Sequence, residues 1–206
     1  MRIVKDKKVL SVPLEETPLN TNEVNDITTI LKTELKRHNG FGLSANQLGL
    51  KTRACIVKVR EDEEPLVLIN PRIVETSKEI VIYQEQCLSI DKSMRKPVKT
   101  VRNKSVTVNC DNLGTIEFSP DKEDWSEAKD YWGDRGLLEC VCVQHEIDHL
   151  NGILITDKIR RYSETVVSPK KYGRNEKVMV KLPDGKTEFM KYKRAIPLLE
   201  VGCEIL

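Results

Sequence analysis

The chain has 206 residues, 39% hydrophobic and 32% charged, with a net charge of +2; that suits one domain with an appendage, is long enough to bury a core, and excludes a disordered chain. The near-neutral charge gives no case for a nucleic-acid partner, specific DNA binding included, or for a membrane partner, and no apolar run approaches the ~20 residues that span a bilayer. Met1 to Lys8 lack the apolar centre of a signal peptide, so a cytoplasmic protein is expected.

Residues 3–19 read as an extended arm ending at Pro18. Asn20, Thr21 and Asn22 cap a helix predicted over 23–38, where Val24, Ile27, Ile30, Leu31 and Leu35 keep helical spacing and Gly40 suits the exit. Gly40-Phe41-Gly42-Leu43-Ser44-Ala45-Asn46-Gln47 reads as a glycine-rich turn. Residues 53–60 and 65–70 read as strands around an acidic turn at 61–64, and 80–83 as a further strand leading into Glu85-Gln86-Cys87-Leu88-Ser89. Residues 98–109 read as two strand pieces with a break near Asn103-Lys104. Residues 117–136 are polar and acidic and hold both tryptophans, Trp125 and Trp132. A helix then opens at Gly136 and ends at Asn151-Gly152; its apolar run through Val141 and Val143 predicts deep burial. Beyond Asp157 the composition shifts to Lys, Arg and Ser. Residues 177–182 and 187–192 alternate around Pro183-Asp184-Gly185, a hairpin signal, and 198–206 reads as a last strand. The expected division is a main domain over 1–157 and a basic linker with hairpin over 158–206 that packs on it.

The most informative stretch lies on the second predicted helix: Gln144-His145-Glu146-Ile147-Asp148-His149-Leu150. Residues four apart share a helix face, so His145 and His149 can grip one metal ion while Glu146 reaches water beside it. The alternative is an amphipathic helix with solvated His and Glu. Two histidines leave a catalytic site one ligand short. No third His follows; the remaining one, His38, ends a surface-like helix, where a solvated or dipole-favoured role suffices. Glu164 lies in a basic linker. Cysteine is the other option among Cys55, Cys87, Cys110, Cys140, Cys142 and Cys203, none in a C-x-x-C pair. Cys87 sits at a strand end before a turn, although a lone cysteine is more often a small buried hydrophobe.

Taken in order, Gly40–Gln47, Glu85–Ser89 and Gln144–Leu150 resemble the three motifs of peptide deformylase, over roughly residues 3–157. The resemblance implies an α+β fold: antiparallel and mixed sheets packed around a central buried helix that carries the H-E-x-x-H motif, plus an N-terminal helix. It implies removal of the formyl group from N-formylmethionine on new polypeptides, with release of formate. Cys87, His145 and His149 would hold one divalent metal ion per chain, Fe²⁺ natively, with Zn²⁺, Ni²⁺ or Co²⁺ able to replace it. Glu146 would take a proton from water and deliver it to the departing amine. The side-chain amide of Gln47 and the backbone N–H of Leu88 would donate to the oxyanion. Gly42 would let the main chain approach a peptide that pairs as an added strand. Phe41, Gly42, Tyr83, Glu85, Leu138, Val141 and Cys142 are candidates for holding the methionine side chain, although core packing explains most of them equally well. Asp148 would orient a ligand, or be solvated. The partners the resemblance implies are formyl-Met nascent peptides; the frequent Lys and Arg of residues 158–206 point to contact with the ribosome near its exit tunnel, and the divergent core and tail suit a monomer in the cytoplasm (the host's, for a viral protein) or in an organelle.

The chain departs from the family pattern in several places. Gln86 stands where glycine is usual, Ser44 where alanine is usual and Asp91 where proline is common. The basic residue that follows the cysteine motif is Arg95 or Arg102. The Trp-bearing segment 117–136 is long, a candidate flap or partner surface, and residues 158–206 exceed a minimal member. Two other readings are a zincin-like peptidase that does not need Cys87, and a descendant that binds formylated peptides without catalysis.

Overall fold

The computed structural model describes residues 1–60, 63–90, 97–121, 134–158, 175–181, 186–199 and 204–205. The chain forms two units, Met1–Lys158 and Ile159–Leu206.

In the first unit the N-terminal arm is not wholly extended. It contains a one-turn helix, α1 (Lys7–Leu10), because the Asp6 side chain accepts from Lys8 N at 2.9 Å and caps it. The next helix, α2 (Thr21–His38), begins in a capping box: Asn20 accepts from the Asn22 and Glu23 amides, and Glu23 reaches back to Asn20 N at 2.8 Å. Its exit turn falls at Asn39 (φ 51°) rather than Gly40, since Asn tolerates the left-handed region. His38 lies in its last turn, 3.4 Å from Glu34 Oε2.

The glycine-rich segment is a short strand, β1 (Gly42–Ser44), followed by a 3₁₀ turn over Ala45–Leu48. Its neighbours are β2 (Ala54–Val57) and β3 (Leu66–Ile69), all antiparallel in the order β1-β2-β3. All four β2 residues are buried because both faces of this sheet are covered. Ala54 and Ile56 join Ile27, Leu31 and Leu35 of α2 in one cluster. Cys55 and Val57 join Val143, Ile147 and Leu150 of the motif helix in another.

That helix, α3 (Arg135–Leu150), is capped by Asp134, which accepts from Leu137 N at 2.9 Å, and 13 of its 16 residues are buried. It is therefore the central element of the unit, as the sequence predicts. Its last carbonyl is held by the buried Arg53 of the loop before β2, which donates to Leu150 O (3.1 Å) and Asn151 Oδ1 (2.8 Å) as well as to Leu14 O and Pro71 O. A guanidinium there satisfies carbonyls that a helix C-terminus leaves without partners.

Two further sheets flank the helix. The hairpin-like pair β5 (Ile80–Glu85) and β6 (Val98–Asn103) is antiparallel, with Glu85 opposite Val98. The third sheet has the order β4-β7-β8, from β4 (Arg72–Thr76), β7 (Val106–Cys110) and β8 (Gly114–Phe118). Neither β4 nor β8 is expected from sequence. A bulge between Ile73 and Glu75 interrupts the alternation of β4, and β8 leads into the polar segment. The five cysteines among the described residues are free and buried.

The second unit holds the expected hairpin, β9 (Lys177–Lys181) and β10 (Thr187–Lys191), with β11 (Glu204–Ile205) on the other edge of β9. Where a strand is predicted from Leu198, the chain instead forms α4 (Tyr192–Leu199), whose Tyr192 and Ala195 bury Val178 and Val180. The turn at 183–185 and the segment carrying Trp125 and Trp132 lie outside the described residues. The architecture is α+β.

Candidate metal centre

Cys87, His145 and His149 come together although they lie up to 62 positions apart in sequence. Their ligand atoms all fall within 4.8 Å of one another, and Cys87 Sγ is 3.2 Å from His149 Nε2. The two imidazoles project from one face of α3, as the i, i+4 spacing requires. The cysteine arrives from the turn that follows β5. One thiolate and two ring nitrogens, all buried, are a donor set that fits a divalent transition metal.

The groups behind the donors fix their orientation. His145 Nδ1 lies 2.7 Å from Glu85 Oε2, which leaves Nε2 to face the centre. Glu85 in turn accepts from Arg102 Nε at 2.6 Å and Nη2 at 2.8 Å, and from the Thr100 hydroxyl. Arg102 also donates to Asp148 on α3. Burial alone would raise the Glu85 pKa, but the Arg102 guanidinium and the His145 ring hold it well below the usual carboxylate range. Burial and the neighbouring His145 keep His149 neutral. Its backbone carbonyl accepts from Asn46 Nδ2 at 2.6 Å.

Gln47 is held by its oxygen. Oε1 accepts from Ser44 N (3.0 Å) and from the Ser44 hydroxyl (3.1 Å), so the amide nitrogen points to the centre, 3.1 Å from Ser89 Oγ and 3.3 Å from His149 Nε2. The serine that replaces the family's usual alanine also sets its hydroxyl 2.9 Å from Asn46 Oδ1, so its one proton is shared between the Asn46 and Gln47 oxygens.

Glu146 stands beside the donors. It is buried, its Oε2 has no partner among the described residues, and burial pushes its carboxyl up to about 7. It lines a cavity of about 360 Å³ together with Gln47, Cys87, Leu88 and His145. The expected pocket residues Phe41, Gly42, Tyr83, Glu85, Leu138, Val141 and Cys142 line it too. They do so differently. Tyr83, Leu138 and Val141 share an apolar cluster, Phe41 is 52% exposed at the mouth, and the Glu85 carboxylate is turned onto His145 and Arg102. Gln86 lines the cavity as an exposed side chain.

A Cβ on Gly42 would come within 2.5 Å of Glu146 Oε1 and 2.6 Å of Cys142 Sγ. We predict that Gly42→Ala displaces the Glu146 carboxylate and lowers kcat/KM by about 10²-fold, the scale of a misplacement near 1 Å. Unchanged kinetics in a folded variant would contradict this.

Sequence reasoning leaves the basic residue open between Arg95 and Arg102. Arg102 pairs with Glu85 and Asp148, and Arg95 lies outside the described residues. It also assigns nothing to Asn46, Ser89 and Thr100. Asn46 and Ser89 stand inside the quoted motifs, and that position is the signal. Asp148 is buried against Arg102 rather than solvated.

The polypeptide deformylase family model matches residues 1–165. The chain is 38% identical over 132 residues to the peptide deformylase of Rhizobium meliloti, covering 62% of this chain and 66% of that one. It is 30% identical to the enzyme of Chloroflexus aggregans over 77% and 84%. Among solved structures, it resembles a probable peptide deformylase from Synechococcus phage S-SSM7, with a TM-score of 0.60 and 26% identity over 76% of this chain and 98% of that one. It also resembles a class I type b peptide deformylase from Acinetobacter baumannii, with a TM-score of 0.60 and 25% identity over 76% and 97%.

Proposed function

This chain belongs to the polypeptide deformylase family, metal-dependent hydrolases that remove the formyl group from N-formylmethionine on new polypeptides, and we propose that Cys87, His145 and His149 hold its metal while Glu146 moves the proton. The observation that carries this assignment is the convergence of three buried donor atoms within 4.8 Å beside the unpartnered Glu146 Oε2.

Cys87, His145 and His149 would hold a divalent ion, which would supply Lewis acidity toward a water and the formyl oxygen. The chain's own residues do the rest. Glu146 accepts a proton at its carboxylate and returns it to the amine nitrogen as formate leaves. The Gln47 amide, fixed by Ser44, and the Leu88 N–H donate to the formyl oxygen as it gains charge. Gly42 leaves room for a peptide backbone, and Tyr83, Leu138, Val141 and Cys142 enclose the methionine side chain, with Phe41 at the mouth. Glu85 acts through His145.

The mixed N/N/S donor set suits one Fe²⁺ per chain, with Zn²⁺, Ni²⁺ or Co²⁺ able to replace it. We assign residues 1–157 to catalysis and 158–206 to an accessory extension, in a monomer of the cytoplasm that works at the ribosome. Among the described residues no helix is long and apolar enough to cross a membrane. Deleting residues 170–206 is expected to reduce co-sedimentation with ribosomes; unchanged co-sedimentation removes that part of the proposal.

The decisive experiment pairs formate release from formyl-Met-Ala-Ser with metal content, in the parent and in Cys87→Ala. Parallel loss of metal and activity is expected. A variant that keeps full metal content would point to a peptidase-like site that does not use the thiolate.

A further inference from the structure

The C-terminal unit leaves one face of its sheet open. Val178 and Val180 of β9 point into the small core with α4, so Lys177, Met179 and Lys181 stand on the opposite face. The register of β10 sets Lys191 against Lys177, Phe189 against Met179 and Thr187 against Lys181. An apolar pair therefore sits between lysines at both ends. Phe189 is 65% exposed and Met179 44%. Lys177, Lys181 and Lys191 are exposed, and none has an ion-pair partner among the described residues. The register of β11 puts one acid, Glu204, opposite Lys181.

Charge is segregated in the same way. Residues 159–206 carry eleven Lys and Arg against six Asp and Glu, a net +5. Residues 1–158 carry 23 against 26, a net −3. The whole-chain figure of +2 hides this division, which a charged partner of the second unit would use.

Resting on the reading that the substrates are new polypeptides, which are made on RNA, we infer that this open face binds single-stranded RNA. A base stacks on the exposed Phe189 ring against Met179, and the flanking lysines take the neighbouring phosphates. A sheet face with an exposed aromatic and a basic border supplies both contacts without reading sequence. An anionic membrane surface calls for a broader apolar face than one Phe–Met pair. Lysine is depleted from protein–protein interfaces.

The test is fluorescence anisotropy of a labelled 12-nucleotide oligouridylate with the full-length, metal-loaded enzyme. The matched oligodeoxythymidylate and phosphatidylserine vesicles are run beside it. Phe189→Ala is expected to weaken RNA binding about 5- to 150-fold, the equivalent of one lost stacked base. The combined variant Lys177→Gln, Lys181→Gln and Lys191→Gln should reduce the slope of log K against log salt by about 2. Thr187→Ala should leave binding unchanged. Formate release from formyl-Met-Ala-Ser, measured on the same samples, should be unchanged in all of them. That readout separates failure of this inference from failure of the deformylase reading, and far-UV circular dichroism together with the parental resistance of residues 175–205 to limited proteolysis checks that the second unit is folded in each variant. Absence of RNA binding, a Phe189→Ala affinity equal to the parent's, or tighter binding to DNA or vesicles overturns the inference.

Discussion

Glu146→Ala is expected to lower kcat for formate release by about 10²–10⁴-fold, the usual contribution of a positioned proton-transfer group, while metal content stays at one ion per chain. The geometry separates the two properties. The ligand atoms belong to Cys87, His145 and His149, and Glu146 is not needed to bring them within 4.8 Å of one another. Its carboxylate instead ends in the cavity with Oε2 unpartnered among the described residues, and burial pushes its pKa up to about 7. Removing it eliminates the group that takes and returns the proton but leaves the donors in place. Measuring metal by emission spectroscopy and turnover on the same preparation checks both halves. A Glu146→Ala enzyme that keeps more than a tenth of parental turnover would assign the proton transfer to another group. A variant that loses its metal would make Glu146 part of the binding set.

Much of this arrangement is legible in the sequence, because local signals and burial agree. The helical spacing of Ile27, Leu31 and Leu35 and the apolar run through α3 both report helices that bury a face against the β1-β2-β3 sheet. What is not legible has identifiable reasons. A four-residue helix such as α1 is shorter than any periodicity window, and its only mark is Asp6 as a cap. The bulge in β4 breaks the alternation that marks a strand. In α4 the positions 192, 195, 196 and 199 do carry helical spacing, but they follow directly on an alternating strand and include Pro197, which obscures it. The site divides in the same way. The three motifs, and the roles the resemblance attaches to them, lie in contiguous sequence. The support behind them depends on strand register. Arg102 meets Glu85 only because β6 runs antiparallel to β5, and nothing in the intervening sixteen residues reports that pairing.

That support is the basis of the second large effect. Arg102→Met should destabilise the fold by roughly 3–5 kcal/mol, the cost of breaking a buried ion pair from one side, and weaken metal affinity by about 10–100-fold. The Arg102 side chain is 1% exposed, and it neutralises two buried carboxylates on different elements: Glu85 at the end of β5 and Asp148 on α3. Methionine fills a similar volume but supplies neither charge nor donors, so the buried Glu85 loses its guanidinium and Asp148 is left with Lys158 alone, 3.4 Å away. The strand that leads to Cys87 and the ligand-bearing helix also lose the bridge between them, and Glu85 can no longer hold His145 Nδ1 while its own charge is unbalanced. Urea unfolding and metal titration measure the two effects. Adding Glu85→Gln to Arg102→Met should recover part of the lost stability, since it removes one of the stranded charges, but it should not recover metal affinity, which depends on a carboxylate behind His145. Recovery of both would mean that the network serves folding alone. Recovery of neither would mean that Asp148 rather than Glu85 is the partner that matters to Arg102.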